Sequence, residues 1–191
     1  PYSVEITVKD NGTPQGITKT NFLWFVESGD GTGGGTGGST AGLYEAEDHF
    51  DIQTDVGSKS SVKTYSSSIN SNGSAVTLFD EGDKFKIDFN AASAGNYQLK
   101  VRLRSGNGVN ATSFWPNGYE FSLSNKGIIQ FNGDASTTEY TDDYGKSYWG
   151  IMESEIVNLT AGSHSLSIEA KTDWAAVDYL EVIFLDGNDT G

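Results

Sequence analysis

Two acidic side chains near the start of a patterned region have the spacing of a cation site. Glu45 and Glu47 stand two residues apart, and a second acidic segment, 176–182, lies near the other end of the chain. In a strand, alternate side chains share a face, so the two glutamates would point the same way and repel each other. A hard cation such as Ca²⁺, bound by oxygen ligands from separated segments, would offset that repulsion. The alternative is a pair of solvated glutamates on an exposed edge strand.

The chain offers little material for catalysis. Its two histidines are His49, next to the acidic segment, and His164, inside a pattern that predicts a strand. The serines beside His164 would point to the opposite face of that strand, which disfavours a Ser–His pair. Paired carboxylates for glycoside cleavage stay open because Asp and Glu are plentiful, but Glu45 and Glu47 suit a cation better. We therefore predict a chain that is not an enzyme.

The composition narrows the class of protein and its partners. The chain has 191 residues, a formal net charge of −14 and no cysteine, so it forms neither disulfides nor thiolate metal sites. An acidic chain disfavours nucleic acid, whose binders are basic, and is compatible with a neutral partner. No apolar run approaches the length of a membrane span, so we expect no membrane insertion. We expect a monomeric, secreted or cell-surface module, cut from a longer chain.

Short apolar segments separated by Gly, Asn, Ser and Asp indicate an all-β fold. Alternation is clearest at Phe85, Ile87 and Phe89 and through 97–103, and no segment shows a sustained helical period. Roughly ten short strands fit a two-sheet β-sandwich of the jelly-roll kind. The strands are predicted near 43–47, 61–65, 75–79, 84–90, 96–104, 118–123, 127–131, 154–159, 163–170 and 177–185.

Composition also divides the chain. Residues 1–27 predict a β-hairpin with an Asp-Asn-Gly-Thr-Pro turn. This pattern resembles the last two strands of an immunoglobulin-like or cadherin-like repeat, so we interpret the segment as the tail of a preceding domain. Residues 28–42 are rich in Gly, Thr and Ser and predict a flexible linker. The β-sandwich is expected over 43–186, and 187–191 would begin a following linker.

Five segments within 43–186 resemble, in order, carbohydrate-binding modules of family 6 and of its close relative, family 35. They are Tyr-Glu-Ala-Glu at 44–47, Phe-Asp-Glu-Gly-Asp at 79–83, Ala-Gly-Asn-Tyr-Gln-Leu-Lys-Val-Arg at 94–102, Leu-Thr-Ala-Gly-Ser-His-Ser-Leu at 159–166 and Val-Asp-Tyr-Leu-Glu at 177–181. The resemblance implies a jelly-roll sandwich. It also implies a structural Ca²⁺ bound by Glu45, Glu47 and Asp178, which would join the first and last strands.

The resemblance further implies a sugar site in the loops at one end of the sandwich, where two aromatic rings clamp a sugar and an Asn hydrogen-bonds it. The C–H face of a pyranose lies on an aromatic ring, and its hydroxyls need fixed polar partners. Trp149 stands where the family keeps one clamp, whereas Leu78 and Ala176 replace the second aromatic and the Asn. We expect Trp174 and Trp115, both in turn-forming segments, to act as substitutes.

Convergence of the three tryptophans at one end of the sandwich would create a sugar platform. The expected polar partners are Asn117, Asp173 and Tyr144, with Asn107 and Asn110 as further candidates. The alternative is that each tryptophan plugs an end of the core.

The leading hypothesis is a non-catalytic carbohydrate-binding module that holds a larger secreted protein, such as a polysaccharide-degrading enzyme, on a polysaccharide or oligosaccharide. The mechanism would be a gain in effective concentration. The competing hypothesis is a calcium-stabilised structural or adhesive module that spaces domains in a large cell-surface protein.

Overall fold

A computed structural model describes residues 2–9, 17–24, 42–106, 111–133, 137–142 and 145–185, and the chain divides into two units, Pro1–Thr36 and Gly37–Gly191. The first unit contains strands β1 (Tyr2–Lys9) and β2 (Ile17–Trp24). They pair antiparallel, with Tyr2 opposite Trp24 and Lys9 opposite Ile17. This pairing is the predicted hairpin, and its expected turn at 10–14 lies outside the described residues.

The described part of the second unit is built almost entirely of β-strands. Its only α-helix there is a single turn, α1 (Ala46–His49), and two short 3-10 turns cover Ser71–Gly73 and Pro116–Gly118. The strands are β3 (Gly42–Glu45), β4 (Phe50–Thr54), β5 (Lys63–Ser66), β6 (Ser74–Leu78), β7 (Lys84–Ala91), β8 (Gly95–Arg104), β9 (Tyr119–Leu123), β10 (Gly127–Ile129), β11 (Phe131–Gly133), β12 (Thr138–Asp142), β13 (Gly145–Ser154), β14 (Val157–Leu159), β15 (Gly162–Ala170) and β16 (Ala175–Leu185).

The strands form two antiparallel sheets, which confirms the predicted two-sheet β-sandwich. The smaller sheet has the order β10-β9-β15-β7-β4. The larger sheet has the order β11-β13-β8-β16-β6-β5, with β12 beside β13, β14 beside β8 and β3 beside β16. The last strand, β16, therefore lies at the centre of the larger sheet and pairs with β8, β6 and β3.

One hydrophobic core fills the space between the sheets, because alternate side chains of each strand point inward. Phe85 and Ile87 of β7 and Leu166 and Ile168 of β15 are fully buried, as the alternation predicts. The larger sheet contributes the inward side chains of β8 and β16, which are Leu99, Val101, Leu103, Val177, Leu180 and Val182. No helix among the described residues is long and apolar enough to cross a membrane.

The structure corrects three sequence predictions. The segment 43–47 is not one strand, because β3 ends at Glu45 and Glu47 lies in α1. The segment 127–131 divides into β10 of the smaller sheet and β11 of the larger sheet. The strands β4, β12 and β13 were not predicted, so Trp149 lies in a strand rather than in a loop. Side chains on both faces of β13 are buried, which removes the alternation that identifies a strand.

We predict that the packing of the two sheets depends on the aromatic side chain near the start of β7. Phe85 is fully buried, so Phe85→Ala should lower the free energy of unfolding by about 3–5 kcal/mol through lost burial and a residual cavity. Ile156→Ala is the control, because Ile156 is 57 % exposed and the change should stay within about 0.5 kcal/mol. Urea unfolding would measure both, and equal effects would contradict this assignment of the core.

Candidate functional site

The three acidic residues of the expected cation site are placed by β3, α1 and β16. Glu45 ends β3 opposite Tyr179 of β16, and Glu47 follows in α1. Asp178 lies where the register of β16 against β8 shifts, between Val177 and Tyr179. Such an irregularity redirects a side chain, and here the Asp178 side chain is fully buried. The first strand of the sandwich, the helical turn after it and the last strand therefore each carry one of these carboxylates.

A turn at 67–73 hydrogen-bonds all three carboxylates. The Ser71 hydroxyl donates to Glu45 Oε1 at 2.7 Å, and the Ser71 backbone N–H donates to Asp178 Oδ2 at 3.1 Å. The Asn72 amide donates to Glu47 Oε1 at a longer 3.4 Å. Arg102 of β8 also contacts Asp178 Oδ2 through its guanidinium. One oxygen of each carboxylate thus accepts a hydrogen bond from a neighbouring donor.

The second oxygen of each carboxylate has no partner among the described residues. Glu45 Oε2, Glu47 Oε2 and Asp178 Oδ1 are all buried and unpaired. Burial raises the pKa of Glu47, and the charges of Glu45 and Asp48 raise it further. Burial is also the largest cause of the raised pKa of Asp178, outweighing its bonds to Ser71 and Arg102. Unpaired, desolvated carboxylate oxygens of this kind are the donors that Ca²⁺ prefers.

The geometry of the cluster is not that of a finished metal centre. Among the described residues, no three acidic or histidine side chains are arranged closely enough around one point to hold an ion. The donor chemistry therefore fits Ca²⁺, and the side chains of Glu45, Glu47 and Asp178 would have to turn their free oxygens toward a common centre to bind it.

Trp149, the strongest sequence candidate for a sugar clamp, is 2 % exposed. It packs against Ala75 and Ala176 on the outer face of the larger sheet, beneath half-buried neighbours, which are Tyr65, Ile69 and Tyr140. The guanidinium carbon of Arg102 lies 4.6 Å from the centre of its ring. The expectation of an open Trp149 face is therefore wrong for this conformation, because the indole fills a small satellite core.

The two positions that depart from the family pattern also lie in packed surroundings. Leu78 is fully buried in the core between the sheets, and Ala176 is fully buried beneath Trp149. Neither position can therefore supply a clamp or a polar partner. Three of the expected polar partners of a sugar, Tyr144, Asn107 and Asn110, lie outside the described residues.

An open groove of about 470 Å³ lies at Trp115, and Asn117 is on its rim. Its lining residues are Phe114, Trp115, Pro116, Asn117, Gly118, Lys171 and Thr172. The Phe114 ring holds this segment in place by packing against Gly150. An added Cβ at Gly150 would lie only 3.0 Å from the ring. Trp115 is half-buried and Asn117 is exposed, so this groove combines an indole wall with an exposed amide.

The loop that carries Asp173 and Trp174 meets Trp115 at Gly106. An added Cβ at Gly106 would lie 2.1 Å from the Asp173 carbonyl oxygen and 2.6 Å from Trp115 Cζ3, so only glycine allows the approach. Trp174 is 38 % exposed, adopts a left-handed backbone with φ of 62°, and meets the Phe79 ring edge-on at 5.4 Å. The segment of Trp115 and the loop that carries Trp174 therefore meet at Gly106.

Lys59 connects Asp173 to Asp80, and we call these contacts, which position the loop, the Asp80 clamp. The Asp173 carboxylate accepts hydrogen bonds from Lys59 Nζ at 2.9 Å and from the Glu81 backbone N–H at 3.1 Å. Lys59 also donates to the buried Asp80 through its backbone N–H at 2.9 Å and its ammonium at 3.1 Å. Since Asp173 already has two donors, it supports the Trp174 loop more directly than it offers a free acceptor to a sugar.

Sequence reasoning missed Lys171 and Thr172, which also line the groove at Trp115. The one feature of the sequence that could have indicated them is their position after β15 and immediately before Asp173. It also missed Arg102, although the outward alternation of β8 places it beside Asp178. These residues act through contacts between distant segments, which spacing along one segment does not reveal.

Comparison with solved structures finds similar chains among carbohydrate-binding proteins. A module of lichenase 5A from Cellvibrio mixtus, solved with cellotriose, shares 20 % identity with a TM-score of 0.48, covering 75 % of this chain and 97 % of the module. A family 35 carbohydrate-binding module from Clostridium thermocellum shares 22 % identity with a TM-score of 0.48, covering 75 % of this chain and 97 % of that one.

The GH26-CBM35 β-(1,4)-mannanase of Podospora anserina shares 19 % identity with a TM-score of 0.51, covering 78 % of this chain and 29 % of the mannanase chain. At this identity the likeness supports the β-sandwich fold alone. No protein-family model matches the chain, and no curated protein is significantly similar to it.

We predict that the Asp80 clamp gives the protein an acid-sensitive component of stability. Burial alone would raise the pKa of Asp80, but the hydrogen bonds from Lys59 and Ser58 outweigh it and hold the pKa well below its ordinary value of 3.8. A lowered pKa stabilises the folded state above that ordinary value, and the contribution is lost as the pH falls below it. Asp80→Asn should therefore lower the unfolding midpoint at pH 7 and flatten its decline below pH 4.

Thermal unfolding between pH 2 and pH 7 would measure this effect. The matched control is Asp88→Asn, because Asp88 is an exposed partner of Lys86 and such ion pairs contribute little. A wild-type pH profile in Asp80→Asn would contradict the proposed clamp.

Proposed function

We propose that the chain is a non-catalytic carbohydrate-binding module, and that the groove at Trp115 is where it binds a glycan. The observation that carries the proposal is this open, aromatic-walled groove at the end of a β-sandwich, with the exposed amide of Asn117 on its rim and the exposed Trp174 two residues beyond its lining residue Thr172. Its volume of about 470 Å³ lies within the usual range for small-molecule sites.

The chemistry of the lining suits a sugar ring. The indole of Trp115 supplies an apolar face for the C–H groups of a pyranose, since the negative face of the ring attracts them. Asn117 and Thr172 can exchange hydrogen bonds with the hydroxyls, and their geometry is fixed by the turn at Pro116–Gly118 and by the end of β15. One apolar face and a few fixed polar groups are what a saccharide requires.

The lining favours binding over hydrolysis. The described lining residues of the Trp115 groove include no carboxylate. A neighbouring groove that shares Pro116, Asn117 and Lys171 has one, Glu120, and Lys171 lies 3.4 Å from it in an ion pair. Glycoside cleavage in most families uses two carboxylates on opposite sides of the scissile bond. A module of this kind would act by keeping a larger secreted protein, such as a polysaccharide-degrading enzyme, near its substrate.

A structural Ca²⁺ is the second part of the proposal. Glu45, Glu47 and Asp178 would hold it through their unpaired oxygens, and Ser71 and Arg102 would keep the carboxylates in place. Bound there, the ion would neutralise the acidic cluster and join β3 to β16. The preceding hairpin and the Gly-rich stretch are proposed to be the tail of another domain and a linker.

The first prediction of this proposal concerns the groove. Trp115→Ala should weaken retention on the polysaccharide that the module binds by about 30-fold, equivalent to about 2 kcal/mol for an aromatic hot spot. Native affinity electrophoresis in gels containing soluble cellulose derivatives, xylan, galactomannan or laminarin would measure it. Trp174→Ala should also weaken retention, because its ring is the second exposed indole at this end.

The matched control for the groove is Ile52→Ala, which removes a 43 % exposed apolar side chain from β4 and should leave mobility shifts unchanged. Unretarded migration of the wild-type chain in every gel would contradict a carbohydrate-binding function. Retention that survives Trp115→Ala in full would place binding elsewhere.

The second prediction concerns calcium. Adding Ca²⁺ to chelator-treated protein at pH 7 should raise the unfolding free energy, by about 2.7 kcal/mol once its concentration is 100 times the dissociation constant. Glu47→Gln should abolish most of this response. It should also stabilise the metal-free protein at neutral pH, because the raised pKa of Glu47 means that its ionised form opposes folding.

Differential scanning calorimetry with and without Ca²⁺ would test both effects. Glu155→Gln is the control, because Glu155 is an exposed acid outside the cluster. An equal calcium response in wild type and Glu47→Gln would contradict the site, and so would the absence of any response in the wild type.

A further inference from the structure

A second groove continues the first along the open side of the sandwich. It encloses about 300 Å³ and shares Pro116, Asn117 and Lys171 with the Trp115 groove. Its other lining residues include Glu120, Phe121, Ile128, Gln130 and Phe131. The two grooves therefore form one trough that leads from the end of the sandwich to its side.

The side of the sandwich is open at this point because two edge strands meet there. Strand β10 is the edge of the smaller sheet, and β11 is the edge of the larger sheet. The rings of Phe121 and Phe131 close the floor between them, stacked with 4.0 Å between their centroids. Gln130 connects the two strands, and its exposed amide borders the trough together with Ile128, which is 62 % exposed.

The trough is longer than a single sugar ring. Its wall follows the chain from Gly118 through β9 to Phe121, which spans about 10 Å at ~3.3 Å per residue. Trp115 and Asn117 lie at one end, and Ile128 and Gln130 lie at the other. An apolar contact and a side-chain amide thus occur twice along one path, which suits a chain of repeating sugar units.

The charges along the trough oppose acidic glycans. Lys171, its one described cation, donates to Glu169 and lies 3.4 Å from Glu120. The local charge of these three groups is negative, and the whole chain has a formal net charge of −14. A uronate or a sulfate ester would therefore meet repulsion, and the described lining residues of the trough include no unpaired cation to compensate it.

We propose that the trough binds the interior of a neutral polysaccharide, with one sugar unit on Trp115 and later units running along β9 to Gln130. This inference rests on the proposed function, because it extends the Trp115 site. It assigns Ile128 and Gln130 as residues that recognise chain length, and the Glu120–Lys171–Glu169 ion pairs as the feature that excludes acidic chains.

The test uses oligosaccharides of two to six units cut from the neutral polysaccharide that is best retained in the affinity gels. Isothermal titration calorimetry should show affinity rising at least tenfold with length before it reaches a plateau. Gln130→Ala should remove most of the gain for the longer oligosaccharides and leave the affinity for the disaccharide unchanged. Gln53→Ala, an exposed glutamine on β4, is the matched control and should change neither.

The charge assignment has its own measurement. Hydroxyethyl-cellulose and carboxymethyl-cellulose share a backbone and differ in charge, and wild-type protein should be retarded less by the acidic polymer. Glu120→Gln should narrow that difference, because it frees Lys171 from one of its two carboxylates. If the two polymers retard the wild type equally, selection for neutral chains is refuted.

The outcomes separate this inference from the proposed function. Binding that needs Trp115 but is equally strong for two and six units would overturn the inference and leave the proposed function standing. The same conclusion would follow if Gln130→Ala bound the longest oligosaccharide as well as the wild type did. Absence of binding at every length would overturn both.

Discussion

The buried carboxylate of Asp178 is the constraint on which the rest of this structure depends. It lies in the central strand of the larger sheet, where the register against β8 shifts, and it is fully buried. A buried charge is costly unless it is paired and hydrogen-bonded, and Arg102 and Ser71 supply those contacts. The same turn that provides Ser71 also bonds Glu45, so this one charge links β16, β8, β3 and the turn at 67–73.

This pairing also contributes to the burial of Trp149. Arg102 contacts Asp178 and also lies over the ring of Trp149, so the indole that the family pattern favours is part of a packed cluster. The accessible indoles are displaced to the end of the sandwich, where Gly106 lets Trp115 and the loop of Trp174 approach each other. The proposed binding surface thus uses residues other than those of the family pattern, on a β-sandwich fold.

Periodicity alone predicted the all-β sandwich, because β7, β8 and β15 alternate cleanly between a buried and an exposed face. It failed at β13, whose two faces are both buried, and at 43–47, where a helical turn separates Glu45 from Glu47. The turn at 67–73 nevertheless hydrogen-bonds the carboxylates of Glu45, Glu47 and Asp178, and their binding of Ca²⁺ stays a prediction. Burial of Trp149 was only the alternative, because it depends partly on Tyr65 and Ile69, which lie far from Trp149 in the sequence.

The most direct test of the central claim is to observe each indole separately. The chain has four tryptophans, so a ¹H–¹⁵N spectrum contains four indole N–H signals that single Trp→Phe variants can assign. Titration with a neutral oligosaccharide should shift the signal of Trp115 most, followed by that of Trp174, and leave that of Trp149 in place. A saturable shift of Trp149 with Trp115 unmoved would contradict the account, because the sugar would then bind on the outer face of the larger sheet.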